Sequence, residues 1–500
     1  MLIEGLIANG AAADLALLAH ERPPMTYSGL RLQVDRTRAV LQRLGFRQED
    51  RIAVVLPNGP ELAAAFLSIS AASGVAPLNP NYSVDEFRFY LGDLGAAALA
   101  TVPGFCPAAE KAAQSLGIRL LGLRASSTAP AGTFSVEADQ QARVTNQPRA
   151  EERGRLALLL HSSGTTARPK LVGLKHENLC ASAGSVAATL RLTPDDRTLN
   201  IMPLFHIHGL VGVLLSSLSA GASVYCSPGF NALQFGRWMR DAQPSWYSAV
   251  PSMHQALLLR AGEIERYMAR PLRLIRSSSA HLDTQVWKRL ETQFGCPALN
   301  AYGMTEAAHQ IASNPLPPGE RTYGSAGLPA GSEVAIVDER CQFQPHSTTG
   351  EIAIRGVNVI GRYLHPVEAN STSFVDGWLR TGDQGVMDAN GYVFITGRLK
   401  ELINIGGEKV SPAEIDAVLM QHPAVTQAVT FGAACASRGE RICAAVVVDS
   451  DTSEPELKRF VRERLASFKT PSTVLMVAEI PKGPTGKIQR IGMAKRLGLE

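Results

Sequence analysis

A buried strand, a sharp turn and an apolar helix follow one another within residues 51–70, and this succession constrains the fold more than any other feature of the chain. The run RIAVVL (51–56) has the length and apolar continuity of a strand covered on both faces. Asn58-Gly59-Pro60 closes it, and the Ala- and Leu-rich stretch 61–70 predicts a helix. LALLL (156–160) and ASVYC (222–226) repeat the buried-strand pattern. Such strands alternating with helices predict an α/β fold, with a large N-terminal domain of layered α/β subdomains. No internal repeat is visible. The stretch 125–155 is rich in Ser, Thr, Ala, Gln and charge, lacks periodicity, and is expected to run over the surface.

A second domain is expected after Gly397, where the pattern shortens to two helices and several strands. Ser411-Pro412-Ala413-Glu414 has the spacing of a capping box with proline at the first helical position, which predicts a helix over 412–421. AVTQAVTF and ICAAVVV read as strands flanking a turn at Ser437-Arg438-Gly439-Glu440, and a second helix is expected over 454–466. The expected domains are 1–397, the large unit, and 398–500, a small mobile α+β unit.

Composition narrows function by exclusion. A chain of 500 residues, 45% hydrophobic and 19% charged, can build two or more sizeable cores. A formal net charge of +4 gives no reason to expect nucleic acid or an anionic membrane as partner, so any anionic ligand needs a local site. The seven cysteines are odd in number, scattered and without metal spacing, which fits a reducing compartment, the cytoplasm. MLIEGLIANG lacks a basic n-region and a long apolar run, and no apolar stretch reaches the roughly 18 residues of a membrane span. RLGLE at the other end carries no peroxisomal tripeptide.

The chemistry starts after LALLL. There stands His161-Ser162-Ser163-Gly164-Thr165-Thr166-Ala167-Arg168-Pro169-Lys170. Successive backbone N–H groups and small hydroxyls can wrap phosphate oxygens, and a lysine adds a point charge. A bare SSGTT is an ordinary Ser/Thr turn; the ordered combination with Arg168-Pro169-Lys170 is much rarer. It is not the Walker pattern, which disfavours kinases and P-loop ATPases. Four further segments follow in order: Tyr302-Gly303-Met304-Thr305-Glu306, Arg380-Thr381-Gly382-Asp383, Gly397-Arg398-Leu399-Lys400, and Pro481-Lys482-Gly483-Pro484-Thr485-Gly486-Lys487-Ile488.

Together these resemble the motifs of the acyl-adenylate-forming superfamily, which includes acyl-CoA synthetases, luciferases and nonribosomal adenylation domains, over about residues 25 to 490. The resemblance implies an ATP-dependent, AMP-forming acid–thiol ligase. ATP and Mg²⁺ would serve formation of an acyl adenylate, and coenzyme A would take the acyl group. By resemblance, Ser162, Ser163, Gly164, Thr165, Thr166 and Lys170 hold phosphates, and Tyr302 stacks on adenine beside Ala280, Ala301, Gly303 and Met304. Thr305 bonds the α-phosphate, Glu306 helps hold Mg²⁺ together with Thr165, and Asp383 takes the ribose hydroxyls. Arg398 stands near ribose or phosphate, Lys400 is the hinge, and Lys487 is the catalytic lysine of the C-terminal loop. Gly406-Gly407-Glu408-Lys409 resembles the segment lining the pantetheine tunnel, with Gly407 approached by ligand. Family members usually carry glycine where this chain has Ala167, and often another where it has Leu171, so a stiffer loop is expected.

For the acid, Phe205-His206-Ile207-His208-Gly209 resembles the aromatic–histidine element bordering the acyl pocket, with His206 also expected among the catalytic groups. The HxHG form, AYGMTEAAHQIASNPLP, RSSSA (276–280) and GRLKELINIGGEKVSP resemble oxalate–CoA ligases more than long-chain enzymes. In that group a serine and a histidine contact the distal carboxylate, and Ser279 and His309 stand at matching positions. Relatives acting on malonate tend to carry a basic residue where this chain has Met253-His254-Gln255, which counts against malonate. An aryl or medium-chain acid, a carrier-protein thiol as acceptor, and a non-catalytic ligand-binding protein of the same fold are the alternatives. A homo-oligomer is compatible with all of them.

Overall fold

The computed structural model describes residues 2–138, 156–162, 169–405, 408–435, 439–481 and 488–499. Two compact units divide the chain. The first comprises Met1–Val334, Ile354–Leu379 and Gly391–Val393; the second comprises Ala335–Ala353, Arg380–Asn390 and Phe394–Glu500.

The first unit contains two sheets built as α/β layers. One sheet takes the spatial order Phe134–Ala138, Arg119–Ala125, Ala98–Thr101, Arg51–Val55, Gly74–Pro77, Leu156–Ser162, Lys170–Lys175. Its middle strands are parallel and its two edges antiparallel. Arg51–Val55 is buried throughout, and the helix Pro60–Ser70 that returns from it buries every residue except Glu61, which explains the continuous apolar run. Pro60 opens that helix one residue earlier than expected, where its missing N–H costs nothing. Leu156–Ser162 pairs antiparallel with Lys170–Lys175, with Ser162 opposite Lys170.

Part of the stretch expected to cross the surface is a strand. Phe134–Ala138 pairs with Arg119–Ala125, burying Phe134 and exposing Ser135 and Glu137. Five residues buried on one side only leave a weak apolar signal against a polar background. Residues 139–155 lie outside the described residues.

The second sheet runs in the order Leu328–Pro329, His309–Ser313, Ala298–Met304, Leu274–Ser277, Trp246–Ala249, Arg197–Asn200, Ser223–Cys226, Leu15–Leu18, Met25–Thr26. From Ala298–Met304 to Leu15–Leu18 neighbouring strands are parallel, so their carboxyl ends share one edge. Below that edge Leu199, Tyr247, Ile275, Trp287 and Ala298 form one core cluster.

In the second unit Glu408–Val410, Ile403–Ile405, Gly439–Val448 and Val425–Cys435 are antiparallel neighbours, and Thr473–Met476 runs parallel to Gly439–Val448. Helices Pro412–Leu419 and Glu454–Arg462 cover this sheet through Ile415, Leu419, Leu457 and Val461. The expected capping box is absent: the Ser411 hydroxyl donates to the Thr396 carbonyl at 2.6 Å, and Lys469 takes Glu414. Both helices also end before the expected positions. Residues 437 and 438 of the expected turn lie outside the described residues. Among the described residues no helix is long and apolar enough to cross a membrane.

Candidate active site

Three parallel strands deliver polar groups to their common carboxyl edge, the usual place for a ligand in an open α/β sheet. Ser248 stands near the end of Trp246–Ala249, Ser279 two residues beyond Leu274–Ser277, and Glu306 two residues beyond Ala298–Met304. His208 opens a π-helix, His208–Leu215, reached from Arg197–Asn200. Its Nδ1 lies 3.0 Å from Ser279 Oγ and its Nε2 2.7 Å from Ser248 Oγ. The imidazole, 2% exposed, stacks on His309 with centroids 5.0 Å apart and planes inclined by 22°.

Arg276 stands behind His309. Its two terminal nitrogens donate to His309 Nε2 at 2.9 Å and Gln310 Oε1 at 3.2 Å. Gln310 is itself fixed, its amide donating to Ser185 and Thr189 at 3.2 Å each. Arg276 is wholly buried, and burial pushes its guanidinium down to about 9, still protonated at neutral pH.

The backbone is strained where these side chains converge. Ser279 (φ 74°), Ala308 (φ 48°) and His309 (φ 103°) all take left-handed conformations that cost non-glycine residues on the order of 1–3 kcal/mol each. Close packing adds a second constraint, since a Cβ on Gly212 of the π-helix would lie 2.4 Å from His309 Nε2.

Beside this cluster Glu306 sits in the short 3₁₀ turn Thr305–Ala307, 5% exposed, and accepts the Tyr363 hydroxyl at 3.1 Å. Burial first, then the Glu306 charge, pushes the Tyr363 phenol far up, so it remains a protonated donor. Among the described residues no cation pairs with Glu306. A buried carboxylate served by one neutral donor fits a hard divalent cation. Lys170 lies 4.1 Å above the Tyr363 ring and reaches Ser373 Oγ at 3.4 Å. The Ser162 hydroxyl is buried without a hydrogen-bond partner among the described residues, which fits a phosphate oxygen as acceptor.

The other expected residues take the following places. Ala301, Tyr302, Gly303 and Met304 occupy Ala298–Met304, with Tyr302 8% exposed. A Cβ on Gly303 would lie 1.5 Å from the His309 carbonyl oxygen, so only glycine fits. Thr305 is half-buried, and Ala280 is exposed in the turn after Ser279. His206 is half-buried just before the π-helix, its ring 4.7 Å from that of Phe205. In the second unit Asp383, 6% exposed, pairs with Arg398 at 3.1 Å. Glu351 holds that turn by accepting from Gly382 N at 2.9 Å and Arg380 Nε at 2.7 Å. Lys400 is exposed in the 3₁₀ turn Leu399–Glu401. Ser163, Gly164, Thr165, Thr166, Gly407 and Lys487 lie outside the described residues.

Sequence reasoning gave no role to Arg276, Ser248, Gln310 or Tyr363. Arg276 alone carried a signal, a single charge inside the apolar strand Leu274–Ser277, buried at every position. Ser248 and Tyr363 look like ordinary core residues. His254 is fully buried beside the Tyr247 hydroxyl at 3.4 Å, and burial holds it down at about 4, so it brings no positive charge at neutral pH.

The AMP-binding enzyme family matches residues 8–364, and the AMP-binding enzyme C-terminal domain matches residues 414–487. An oxalate–CoA ligase of Arabidopsis thaliana is 40% identical over 503 residues, covering 98% of this chain and 97% of the relative. One of Saccharomyces cerevisiae is 38% identical over 480 residues, covering 89% and 86%. Among solved structures, O-succinylbenzoate coenzyme A synthetase from Bacillus subtilis in complex with ATP and magnesium ion superposes with a TM-score of 0.82 at 28% identity, covering 98% of both chains. The chain belongs to the AMP-binding enzyme family, and within it is an AMP-forming acid–CoA ligase that uses ATP, Mg²⁺ and coenzyme A.

Proposed function

We propose that the acid is oxalate or another small dicarboxylate. The observation that carries this reading is the convergence of Ser279 and His309, both on strained backbone, upon the buried ring of His208. Donors so placed suit a second carboxylate, whereas an alkyl or aryl acid would set an apolar group against buried polar ones, at a cost of roughly 1–3 kcal/mol for each polar group it desolvates. The 38–40% identity to two oxalate–CoA ligases supports the same reading.

The ligase reaction joins the acid to AMP with loss of pyrophosphate, then moves the acyl group to the CoA sulfur with release of AMP. In our reading Ser279 and His309 grip the distal carboxylate, and His208, fixed by Ser248, keeps them aligned while His206 borders the pocket. Glu306, held by Tyr363, and Thr165 ligate the cation. Ser162, Ser163, Gly164, Thr166 and Lys170 cradle the phosphates, Thr305 binds the α-phosphate, and Lys487 stabilises charge on the departing pyrophosphate. Tyr302 faces adenine, with Ala280, Ala301, Gly303 and Met304 around it. Asp383 accepts from the ribose once Arg398 yields its place. Lys400 is the pivot between 1–397 and 398–500, and Gly407 admits the pantetheine arm. A carrier-protein thiol is the competing acceptor. Seven free cysteines fit a cytoplasmic home.

ATP–pyrophosphate exchange across oxalate, malonate, benzoates and C2 to C16 fatty acids tests the acid, and thioester formation with CoA against a holo-carrier tests the acceptor. Exchange with fatty acids and none with oxalate would remove the dicarboxylate reading.

A further inference from the structure

Among the described residues Arg276 is a buried cation without a counter-charge. It is fully inaccessible, its terminal nitrogens donate to the neutral side chains His309 and Gln310, and among the described residues its Nε has no partner and no carboxylate pairs with it. Buried charges are normally paired, and one left unpaired inside a protein points to an anion that arrives from outside. The sheet register shows that its position is built. Arg276 pairs with Leu299, and on the same face Ala301 and Gly303 follow. The arginine spans that strand to meet Gln310, opposite Gly303, and the adjacent His309.

The hydrogen bond also fixes a proton. A guanidinium only donates, so His309 Nε2 is the acceptor and carries no hydrogen. His309 is therefore held neutral with its proton on Nδ1. We propose that Arg276 is the charge-balancing and positioning residue of the acyl pocket: it locks His309 as a neutral Nδ1–H donor and supplies the positive charge that a substrate's second carboxylate neutralises. The inference rests on the dicarboxylate reading above. It makes the pocket selective by charge, because a monocarboxylate would leave Arg276 uncompensated.

The titratable and charged groups on the elements around His309 are Arg276 on Leu274–Ser277, His208 on the π-helix, Tyr302 on Ala298–Met304 and Glu306 on its 3₁₀ turn. Helix His176–Thr189 meets this strand through Ser182, Ser185 and Thr189, and its titratable groups are His176, Glu177 and Cys180. Arg276 is the one that prevents protonation of His309 directly.

The test is ATP–pyrophosphate exchange by wild type, Arg276→Met and Arg276→Lys at pH 8 and pH 6. In Arg276→Met the oxalate KM should rise about 100-fold at pH 8 while the ATP KM stays within about 2-fold, the loss expected for one charge-assisted hydrogen bond and its charge. At pH 6 His309, now able to take a proton, should recover about 10-fold of that loss, and His309→Asn on the same background should abolish the recovery. A merely structural arginine would raise both KM values or show no recovery at low pH, and either result overturns the inference. If Arg276→Met does not fold, Arg276→Lys decides: one ammonium cannot serve His309 and Gln310 with the same geometry, so an oxalate KM equal to wild type overturns it and a rise of about 10-fold supports it. Wild type that exchanges with other acids and not with oxalate removes the dicarboxylate reading, and this inference with it. Oxalate turnover that Arg276→Met leaves unchanged removes this inference alone.

Discussion

His208 and His309 stack ring on ring, 5.0 Å between centroids, although one opens a π-helix and the other begins an antiparallel strand. Two imidazolium charges at that distance would repel by about 3 kcal/mol at an effective dielectric of 20, and the Arg276 bond to His309 adds a further obstacle to protonation. The pair is therefore not doubly protonated, and His309, accepting from Arg276, is a neutral hydrogen-bonding group beside one fixed cation. In the dicarboxylate reading this arrangement would recognise an anion through oriented donors with little reorganisation.

Ser279 belongs to this unit through its bond to His208 Nδ1 at 3.0 Å. Ser279→Ala should raise the oxalate KM about 10-fold and leave the ATP KM near wild type, because one hydrogen bond to a charged group is lost. Steady-state exchange with each substrate varied in turn measures both. Equal rises in both KM values would remove Ser279 from the acid pocket.

Tyr363 should matter for the metal without touching it. Its hydroxyl is the hydrogen-bond donor on Glu306, and loss of an outer partner lets a ligand carboxylate rotate. Tyr363→Phe should raise the Mg²⁺ concentration for half-maximal exchange on the order of 10-fold, with the oxalate KM little changed. A MgCl₂ titration identical to wild type would show that Glu306 does not depend on this contact.

The parts of the molecule that were legible in the sequence are those whose signal is local. Residues 51–70 announced a strand and helix because ten of the eleven residues of Pro60–Ser70 are buried, and apolar continuity survives in one dimension. Ser279 and His309 were singled out by motif resemblance, and the structure brings both side chains to His208. Arg276 had a local oddity but no visible purpose, since its partners lie two strands away and only the register of Ala298–Met304 reveals them. The Ser411 cap failed for a similar reason: a carbonyl fifteen residues earlier, at Thr396, competes for the hydroxyl. Tyr363 could not be singled out, because its role depends on a chain contact 57 residues long.

Acid sensitivity should have an identifiable contributor in His254. Burial lowers it from 6.5 to about 4, so the unfolded chain binds more protons than the folded one between those values. Its contribution is fully present above about pH 6.5 and is lost as pH falls toward 4, roughly 3 kcal/mol over the window. His254→Asn should therefore show a flatter dependence of stability on pH from 6.5 to 4, whatever its absolute stability. Urea unfolding at several pH values measures this, and an unchanged slope would contradict the assignment.

The two half-reactions should separate by mutation. Lys487→Ala should slow adenylate formation at least about 100-fold and spare thiolysis of supplied acyl-AMP, since charge on pyrophosphate develops only in the first step. With Lys400 as the proposed pivot, Lys400→Pro should do the reverse by freezing backbone rotation there. Rapid-quench measurement of each step distinguishes them. Equal losses in both steps for Lys487→Ala, or full thioester formation by Lys400→Pro, would remove the corresponding role.

Gly212 offers a test that alters no polar group. A methyl there would come within 2.4 Å of His309 Nε2 and 2.6 Å of its Cδ2, and the ring has little room to retreat between His208 and the Arg276 guanidinium. Overpacking of this kind costs about 1–3 kcal/mol and shifts whichever group yields most easily. His309 already occupies a strained backbone conformation with φ 103°, so the imidazole should be the group that moves. Gly212→Ala is expected to raise the oxalate KM at least about 10-fold, to lower thermal stability, and to leave ATP binding intact, because the nucleotide residues lie on other elements. An oxalate KM at the wild-type value would mean that the position of His309 is not what selects the acid.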